Sequence, residues 1–173
     1  MQNGRLCVIF CGVLCSLGFE GVIRKAIHQL KYRNLRALVV PLAELLQNYV
    51  SNNSMPGEVL VPVPLHKRKL RERGYNQSHL LARELAKLIN LPVVDDCLIR
   101  QQHNPPQARA ATIDERWTNV ADASICRNHK LWDKQVLLID DVATSGATLD
   151  ACASGLKTAG ASSVWGLVLA REI

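Results

Sequence analysis

The sequence predicts a single α/β domain with a mostly parallel β-sheet covered by helices on both faces. Short aliphatic runs of strand length alternate along the chain with amphipathic segments of helical length. The connections between these runs are long enough for crossovers, which favours parallel strands. At 173 residues the chain has the usual length of one domain with its own hydrophobic core.

The first part of the chain predicts two helices and a strand. Apolar residues recur at helical spacing over 19–32 and again over 38–50, where Pro41 must lie near the first turn or kink the helix. Residues 51–57 are rich in Asn, Ser, Pro and Gly and predict a loop. Residues 59–63 are mainly β-branched or aliphatic, which is typical of a buried strand.

The second part continues the alternation. A basic loop follows the strand, and residues 101–113 predict a polar, proline-bearing connection. The predicted elements of this part, in chain order, are a helix over 77–89, a strand over 93–99, a strand over 136–139, a helix over 147–159 ending at Gly160, and a strand over 163–169. The strand over 136–139 consists of four aliphatic residues and stops at two aspartates.

The N-terminal end departs from this pattern. The apolar run over 6–19 is shorter than the roughly 20 residues of a membrane-spanning helix, and it lacks the cleavage site of a signal peptide. We assign residues 1–18 to a degenerate or truncated segment and residues 19–173 to the domain. Six scattered cysteines are typical of reduced thiols, so we expect a cytoplasmic protein without membrane contact.

The chain carries a formal net charge of +6 and has a pI near 9.2. This favours an anionic partner, and phosphate metabolites, nucleic acid and acidic lipid all fit. Much of the positive charge falls in residues 66–73.

The segment after the aliphatic strand carries the candidate chemistry. Asp140 and Asp141 can accept hydrogen bonds from the vicinal hydroxyls of a sugar, and Gly146 lets backbone approach a bound group. The following helix directs free N–H groups and a positive dipole end at the same place, which suits a phosphate. The predicted phosphoribosyl-binding residues are Asp140, Asp141, Val142, Ala143, Thr144, Ser145, Gly146, Ala147 and Thr148.

Competing functions for this segment have less support. The sequence contains neither G-x-x-x-x-G-K-[ST] nor G-x-G-x-x-G, so nucleoside triphosphatase and dinucleotide-binding functions lose their main signal. The two aspartates could instead cap a helix, but adjacent aspartates closing an aliphatic strand before Thr-Ser-Gly-x-Thr form a more particular pattern than a cap requires.

This segment resembles the phosphoribosyl-pyrophosphate signature of type I phosphoribosyltransferases. Further pieces narrow the resemblance to the ComF family of GntX-like proteins over roughly residues 20–173. These pieces are His28-Gln29-Leu30-Lys31-Tyr32, Val61-Pro62-Val63-Pro64-Leu65-His66, Arg73-Gly74-Tyr75-Asn76-Gln77-Ser78, Pro105-Pro106-Gln107, Glu115-Arg116, Asn119-Val120 and Ala170-Arg171.

The resemblance implies a Mg²⁺-dependent enzyme that transfers the phosphoribosyl group of 5-phosphoribosyl-1-pyrophosphate to a nitrogen nucleophile. Asp140 and Asp141 would be the catalytic residues, and Mg²⁺ would be held by ligand oxygens and water rather than by a protein metal site. The expected pyrophosphate-binding residues are Pro64, Leu65, His66, Arg73, Gly74 and Asn76. The expected lid residues are Arg100, Gln107 and Arg116.

Two functional alternatives to the enzyme stay open at this point. The domain could sense a phosphorylated ribose without turnover, or it could be an accessory protein of competence and DNA uptake, which the ComF resemblance implies. Aromatic residues make up only 5% of the chain, which counts against a stacking platform for single strands of DNA.

Cys7, Cys11 and Cys15 could be the remnant of the family's zinc module or simple core cysteines, and their spacing of four places them on one helical face. A homodimer is possible.

Overall fold

The computed structural model describes residues 12–53, 55–100, 124–126 and 129–172. Within these residues the chain forms six strands, five α-helices and two short 3₁₀ turns. In chain order the elements are β1 Gly12–Gly18, α1 Gly21–Tyr32, a 3₁₀ turn Arg36–Leu38, α2 Val39–Asn52, β2 Val59–Pro62, α3 Lys67–Arg73, α4 Gln77–Ile89, β3 Leu98–Arg100, β4 Ser124–Cys126, a 3₁₀ turn His129–Leu131, β5 Gln135–Ala143, α5 Ala147–Thr158 and β6 Ser163–Arg171.

The main sheet is parallel throughout and has the strand order β1-β6-β5-β2. Val93 extends it beyond β2 through a single parallel bridge to Leu60. β3 and β4 form a separate antiparallel pair, in which Arg100 lies opposite Ser124. The predicted α/β fold with a mostly parallel sheet is confirmed.

Helices cover both faces of this sheet because side chains alternate along each strand. On one face Val136 and Leu138 of β5 pack in a core with Leu149 and Leu156 of α5. On the other face Leu137 and Ile139 pack in a second core with the buried residues of α1, α2 and α4, which are Ile27, Leu30, Val39, Leu42, Leu46, Leu81, Ala82 and Leu85.

The strand order of the sheet reverses between the neighbouring strands β2 and β5. After β2 the chain continues through α4 to Val93, at the edge of the sheet next to β2. After β5 it continues through α5 to β6, on the opposite side of β5. The helices that follow these two neighbouring strands therefore lie on opposite faces. Such a switch point leaves a crevice beyond the carboxyl ends of the two strands, where open α/β sheets bind their ligands.

The structure corrects four details of the predicted elements. β5 does not stop before the two aspartates but continues to Ala143, because it pairs with β6 along its whole length. The basic loop is largely the helix α3, and the strand expected over 93–99 shrinks to β3 and the bridge at Val93. Gly12–Gly18 is a strand of the main sheet, although the sequence placed it in a segment outside the domain. In the part of the chain described above, no helix has the length and apolar character needed to cross a membrane.

Candidate functional site

The candidate site is a cavity of about 230 Å³ at the switch point. β2 and β5 stay paired up to Pro62 and Ile139, and the N–H of Val63 still donates to the Ile139 carbonyl at 2.9 Å. Beyond this point the two chains separate. The cavity is lined by Lys31, Val63, Pro64, Leu65, Lys69, Asn76, Gln77, Ser78, Asp140, Asp141, Val142 and Thr148.

Asp140 is buried in the floor of this cavity, with 8% of its surface exposed. Its Oδ1 accepts two hydrogen bonds, from the Ser78 hydroxyl at 2.7 Å and from the backbone N–H of Asp141 at 2.9 Å. Burial raises the pKa of Asp140 to about 7, and the negative charge of Asp141 acts in the same direction, while the Ser78 hydroxyl opposes the shift. Asp140 can therefore exchange a proton near neutral pH.

Asp141 is buried more deeply, at 2% exposure, and lies against a cation. The Lys31 Nζ is 2.6 Å from Asp141 Oδ2, and the Gln77 Nε2 donates to Oδ1 at 3.4 Å. Arg73 in turn donates to the Gln77 side-chain oxygen, which holds that amide with its nitrogen toward Asp141. Within the described residues, this ion pair with Lys31 is the contact recorded for Asp141 Oδ2.

The loop after β5 exposes backbone and hydroxyl groups beside these carboxylates. Thr144 and Ser145 are exposed, and Gly146 takes the left-handed conformation at the N-cap of α5, with φ of 80°. No side chain caps this helix, although the Ser145 hydroxyl oxygen accepts weakly from the Ala147 N–H at 3.4 Å. The first turn of α5 thus keeps N–H groups for an anion, and Thr148 lines the cavity from the same turn.

The predicted pyrophosphate-binding residues separate into two groups. Pro64, Leu65 and Asn76 line the cavity. Asn76 also caps α4, since its side-chain oxygen accepts from the Ser78 N–H at 3.0 Å and its Nδ2 donates to the Val63 carbonyl at 2.9 Å.

The remaining three, His66, Arg73 and Gly74, do not line this cavity. The His66 ring caps α3 by accepting from the Arg68 N–H at 3.2 Å, and Gly74 ends that helix in the left-handed conformation. Arg73 donates to Gln77, and its guanidinium lies 5.7 Å from the centre of the Tyr32 ring. The cavity instead contains Lys31, Lys69, Gln77 and Ser78, which the sequence pattern did not assign to the site.

A family model for the phosphoribosyl transferase domain matches residues 76–172 of the chain, more than half of its length. The chain belongs to this family. The match includes α4, β5, the loop after β5 and α5, so it covers most of the elements that build the cavity.

Two relatives of this phosphoribosyl transferase domain protein bear competence names. Competence protein F of Haemophilus influenzae is 32% identical over 117 residues, which are 65% of this chain and 51% of that protein. Competence protein ComFC of Bacillus subtilis is 33% identical over 115 residues, which are 66% of this chain and 45% of that protein. The resemblance to the ComF family is confirmed, and the chain spans about half the length of the curated relatives it matches.

Solved structures share the fold of this phosphoribosyl transferase domain protein. The glutamine phosphoribosylpyrophosphate amidotransferase of B. subtilis, complexed with ADP and GMP, has a TM-score of 0.51 at 17% identity and covers 76% of this chain and 26% of its own. A hypothetical protein from Neisseria gonorrhoeae with bound ppGpp has a TM-score of 0.52 at 14% identity and covers 79% of this chain and 69% of its own. At these identities the likeness establishes the type I phosphoribosyltransferase fold alone.

Two predictions for this phosphoribosyl transferase domain protein fall mainly outside the described residues. Gln107 and Arg116 lie outside them, and Arg100 is placed only by its backbone at the end of β3. Of the three N-terminal cysteines, Cys15 lies in β1 opposite Val168, which is not the predicted helical position, while Cys7 and Cys11 lie outside the described residues. Where side chains are described, no group of three or more His, Cys, Asp or Glu could hold a metal ion.

Proposed function

We propose that the chain binds 5-phosphoribosyl-1-pyrophosphate and transfers its phosphoribosyl group to a nitrogen nucleophile. The observation that carries the proposal is the pair of buried carboxylates, Asp140 and Asp141, in one cavity with the uncapped first turn of α5. A phosphorylated ribose fits both the carboxylates and the helix turn, because it has vicinal hydroxyls at one end and a 5′-phosphate at the opposite end.

Hydrogen bonding supports the assignment of the carboxylates to the sugar. The described residues offer Asp141 Oδ2 the Lys31 ammonium, 2.6 Å away, as its partner. Because that ammonium ends a flexible side chain that lines the cavity, a ribose hydroxyl that enters the cavity would replace it as the donor to this atom. Asp140, whose Oδ1 is held by Ser78, would accept the neighbouring hydroxyl.

In the proposed reaction a bond forms between the acceptor nitrogen and the anomeric carbon while the bond from that carbon to the pyrophosphate oxygen breaks. Pyrophosphate leaves with the electron pair, and the acceptor nitrogen loses its proton to the leaving group or to solvent. The chain contributes position and charge: the carboxylates fix the ribose, the α5 turn fixes the phosphate, and Lys31 and Lys69 supply positive charge in the cavity.

Among the described residues, the carboxylates that line the cavity are those of Asp140 and Asp141. Asp141 already lies against Lys31, and the described side chains include no cluster of three metal-ligating groups. Mg²⁺ usually retains water and substrate phosphates as ligands, so we propose that it enters bound to the pyrophosphate of the substrate.

The proposal is tested by calorimetric titration with 5-phosphoribosyl-1-pyrophosphate and Mg²⁺. Wild type is compared with the double variant Asp140→Asn, Asp141→Asn and with Asp133→Asn, which removes an exposed aspartate before β5 that does not line the cavity. We expect wild type and Asp133→Asn to bind equally and the double variant to lose binding. Absence of binding to the wild type would refute the proposal.

The names of the relatives favour a second candidate, a role in competence without phosphoribosyl transfer. The structural neighbour from Neisseria gonorrhoeae holds ppGpp, so a guanosine nucleotide is a further ligand to titrate. Pyrophosphate release separates the candidates. An enzyme releases pyrophosphate when a nitrogen acceptor is added, a sensor binds without release, and a DNA-binding accessory binds single strands with steep salt dependence.

A further inference from the structure

Lys31 occupies an unusual place in the last turn of α1. Its ammonium is 2.6 Å from Asp141 Oδ2, and its side chain is only 21% exposed. It lines the site cavity of about 230 Å³ and also two adjoining cavities, of about 300 Å³ and about 650 Å³. Lys31 therefore lines three cavities, and its side chain has open space on more than one side.

The residues that follow β2 place few cations in the site cavity. Arg73, predicted to bind pyrophosphate, donates to Gln77 and lies over Tyr32, and it is not part of the cavity lining. Among the described residues the cations that line the cavity are Lys31 and Lys69. A pyrophosphate group in this cavity would meet both of them, and Lys31 comes from α1 rather than from the residues that follow β2.

We propose that Lys31 is a pyrophosphate-binding residue, whose ammonium neutralises Asp141 before the ligand arrives and moves to a pyrophosphate oxygen when ribose hydroxyls bind Asp141. This inference rests on the proposed function and adds to it a residue of α1. It explains why a carboxylate that is proposed to bind a sugar is paired with a lysine.

The exchange follows from the chemistry of the groups. A buried carboxylate is costly without a partner, so Asp141 needs the ammonium while no hydroxyl is present. Once a hydroxyl donates to Asp141, the ammonium is free to pair with the more highly charged pyrophosphate. Lysine suits the movement because its charge lies at the end of a flexible four-carbon stem. The Tyr75 hydroxyl donates to the carbonyl of Leu30, so the backbone next to Lys31 is held to the turn before α4.

The test compares two ligands that differ in the pyrophosphate. Calorimetry with 5-phosphoribosyl-1-pyrophosphate and Mg²⁺, and separately with ribose 5-phosphate, is carried out on wild type, Lys31→Met, Lys31→Arg and Lys25→Met. Lys25 is the matched control, because it is an exposed lysine of the same helix that lines only the largest of the three cavities.

We expect Lys31→Met to weaken 5-phosphoribosyl-1-pyrophosphate roughly 10- to 100-fold, the loss of one charge-assisted contact, and to leave ribose 5-phosphate unchanged or tighter. Lys31→Arg keeps the charge and is expected to restore binding, and Lys25→Met is expected to match the wild type. An equal loss for both ligands would reduce Lys31 to a structural role. No loss for either ligand would overturn the proposal as well.

A second measurement on the wild type does not depend on the folding of a variant. The Lys31 ammonium is followed by nitrogen-15 NMR while each ligand is added. We expect its signal to acquire coupling to phosphorus with 5-phosphoribosyl-1-pyrophosphate and not with ribose 5-phosphate, and an unchanged signal at saturation would contradict the exchange. If the wild type binds neither ligand, the proposed function fails. If it binds both and Lys31→Met does not discriminate between them, only this inference fails.

Discussion

The Ser78 hydroxyl donates to Asp140 at 2.7 Å and joins the first turn of α4 to β5 across 62 residues of sequence. Asn76 caps the same turn and bonds to the Val63 carbonyl, so α4 is attached to the ends of both strands that flank the cavity. The first turn of α4 therefore supports the candidate ribose site, and the pKa of Asp140 depends on the Ser78 hydroxyl in that turn.

Ser78→Ala is expected to raise the pKa of Asp140 further above its ordinary value, because the hydroxyl now lowers it. Loss of the bond should reduce the free energy of unfolding by about 1–2 kcal/mol at pH 8. Urea unfolding and carbon-13 NMR titration of the carboxyl measure the two effects. Ser162→Ala, at an exposed serine, is the control, and an equal effect of both substitutions would contradict the role of Ser78.

Asp140→Asn is expected to change the pH dependence of stability. The pKa of Asp140 is about 7 in the folded protein and 3.8 in its ordinary state, so the folded protein binds the extra proton between these values. Protonation of Asp140 therefore stabilises the folded state by up to about 4 kcal/mol below pH 4, and this stabilisation is lost as the pH rises toward 7. The wild type should therefore lose stability relative to Asp140→Asn between pH 4 and pH 7 in urea unfolding. A constant difference between the two proteins would show that Asp140 does not titrate in this range.

Gly146→Ala is expected to weaken phosphate binding at α5. The position is open to a Cβ, but its φ of 80° strains an L-residue by about 1–2 kcal/mol. Relief of the strain would turn the first N–H groups of α5 away from the site, so affinity for ribose 5-phosphate should fall in calorimetry. Gly18→Ala adds the same methyl group in open space without positive φ and should leave affinity unchanged.

Tyr75→Phe is expected to loosen the end of α1. The Tyr75 hydroxyl is buried and donates to the Leu30 carbonyl, so its removal should cost about 1 kcal/mol of folding stability. Hydrogen exchange in the last turn of α1 should accelerate, while exchange in α5 stays unchanged. Tyr32→Phe alters an exposed ring and serves as the comparison; the same acceleration there would argue against the specific role of Tyr75.

The sequence predicted the fold wherever hydrophobic periodicity was strong. The helices α1, α2, α4 and α5 were anticipated because each buries one apolar stripe. The helix α3 was missed, since Lys67–Arg73 has no buried residue and therefore no periodic signal. β1 was missed because a uniformly apolar run does not distinguish a strand from a helix. The extent of β5 was underestimated because two acidic residues are unusual within a strand, whereas buried partners accommodate them here.

The candidate site was only partly predictable for a related reason. The loop from Asp140 to Thr148 is contiguous, so its residue types could be interpreted together. Lys31 and Ser78 approach the aspartates from 110 and 62 residues away, and neither carries a local motif that names its partner. Both lie in segments that resembled the ComF family, and that resemblance was the available signal. Arg73 was predicted to bind pyrophosphate because it lies in the basic turn after β2, in a segment that resembles the family. In the structure it contacts Gln77 and Tyr32 and does not line the cavity.

The cavity lies between strands whose following helices pack on opposite faces of the sheet. A phosphorylated ribose bound there would contact Ser78 and Asn76 at the start of α4 on one layer and the first turn of α5 on the opposite layer. The ligand would act as a cross-link between the two hydrophobic cores on opposite faces of the sheet. Binding of the sugar phosphate would therefore stabilise both layers together, and it would raise the free energy of unfolding of the whole domain rather than order a single loop.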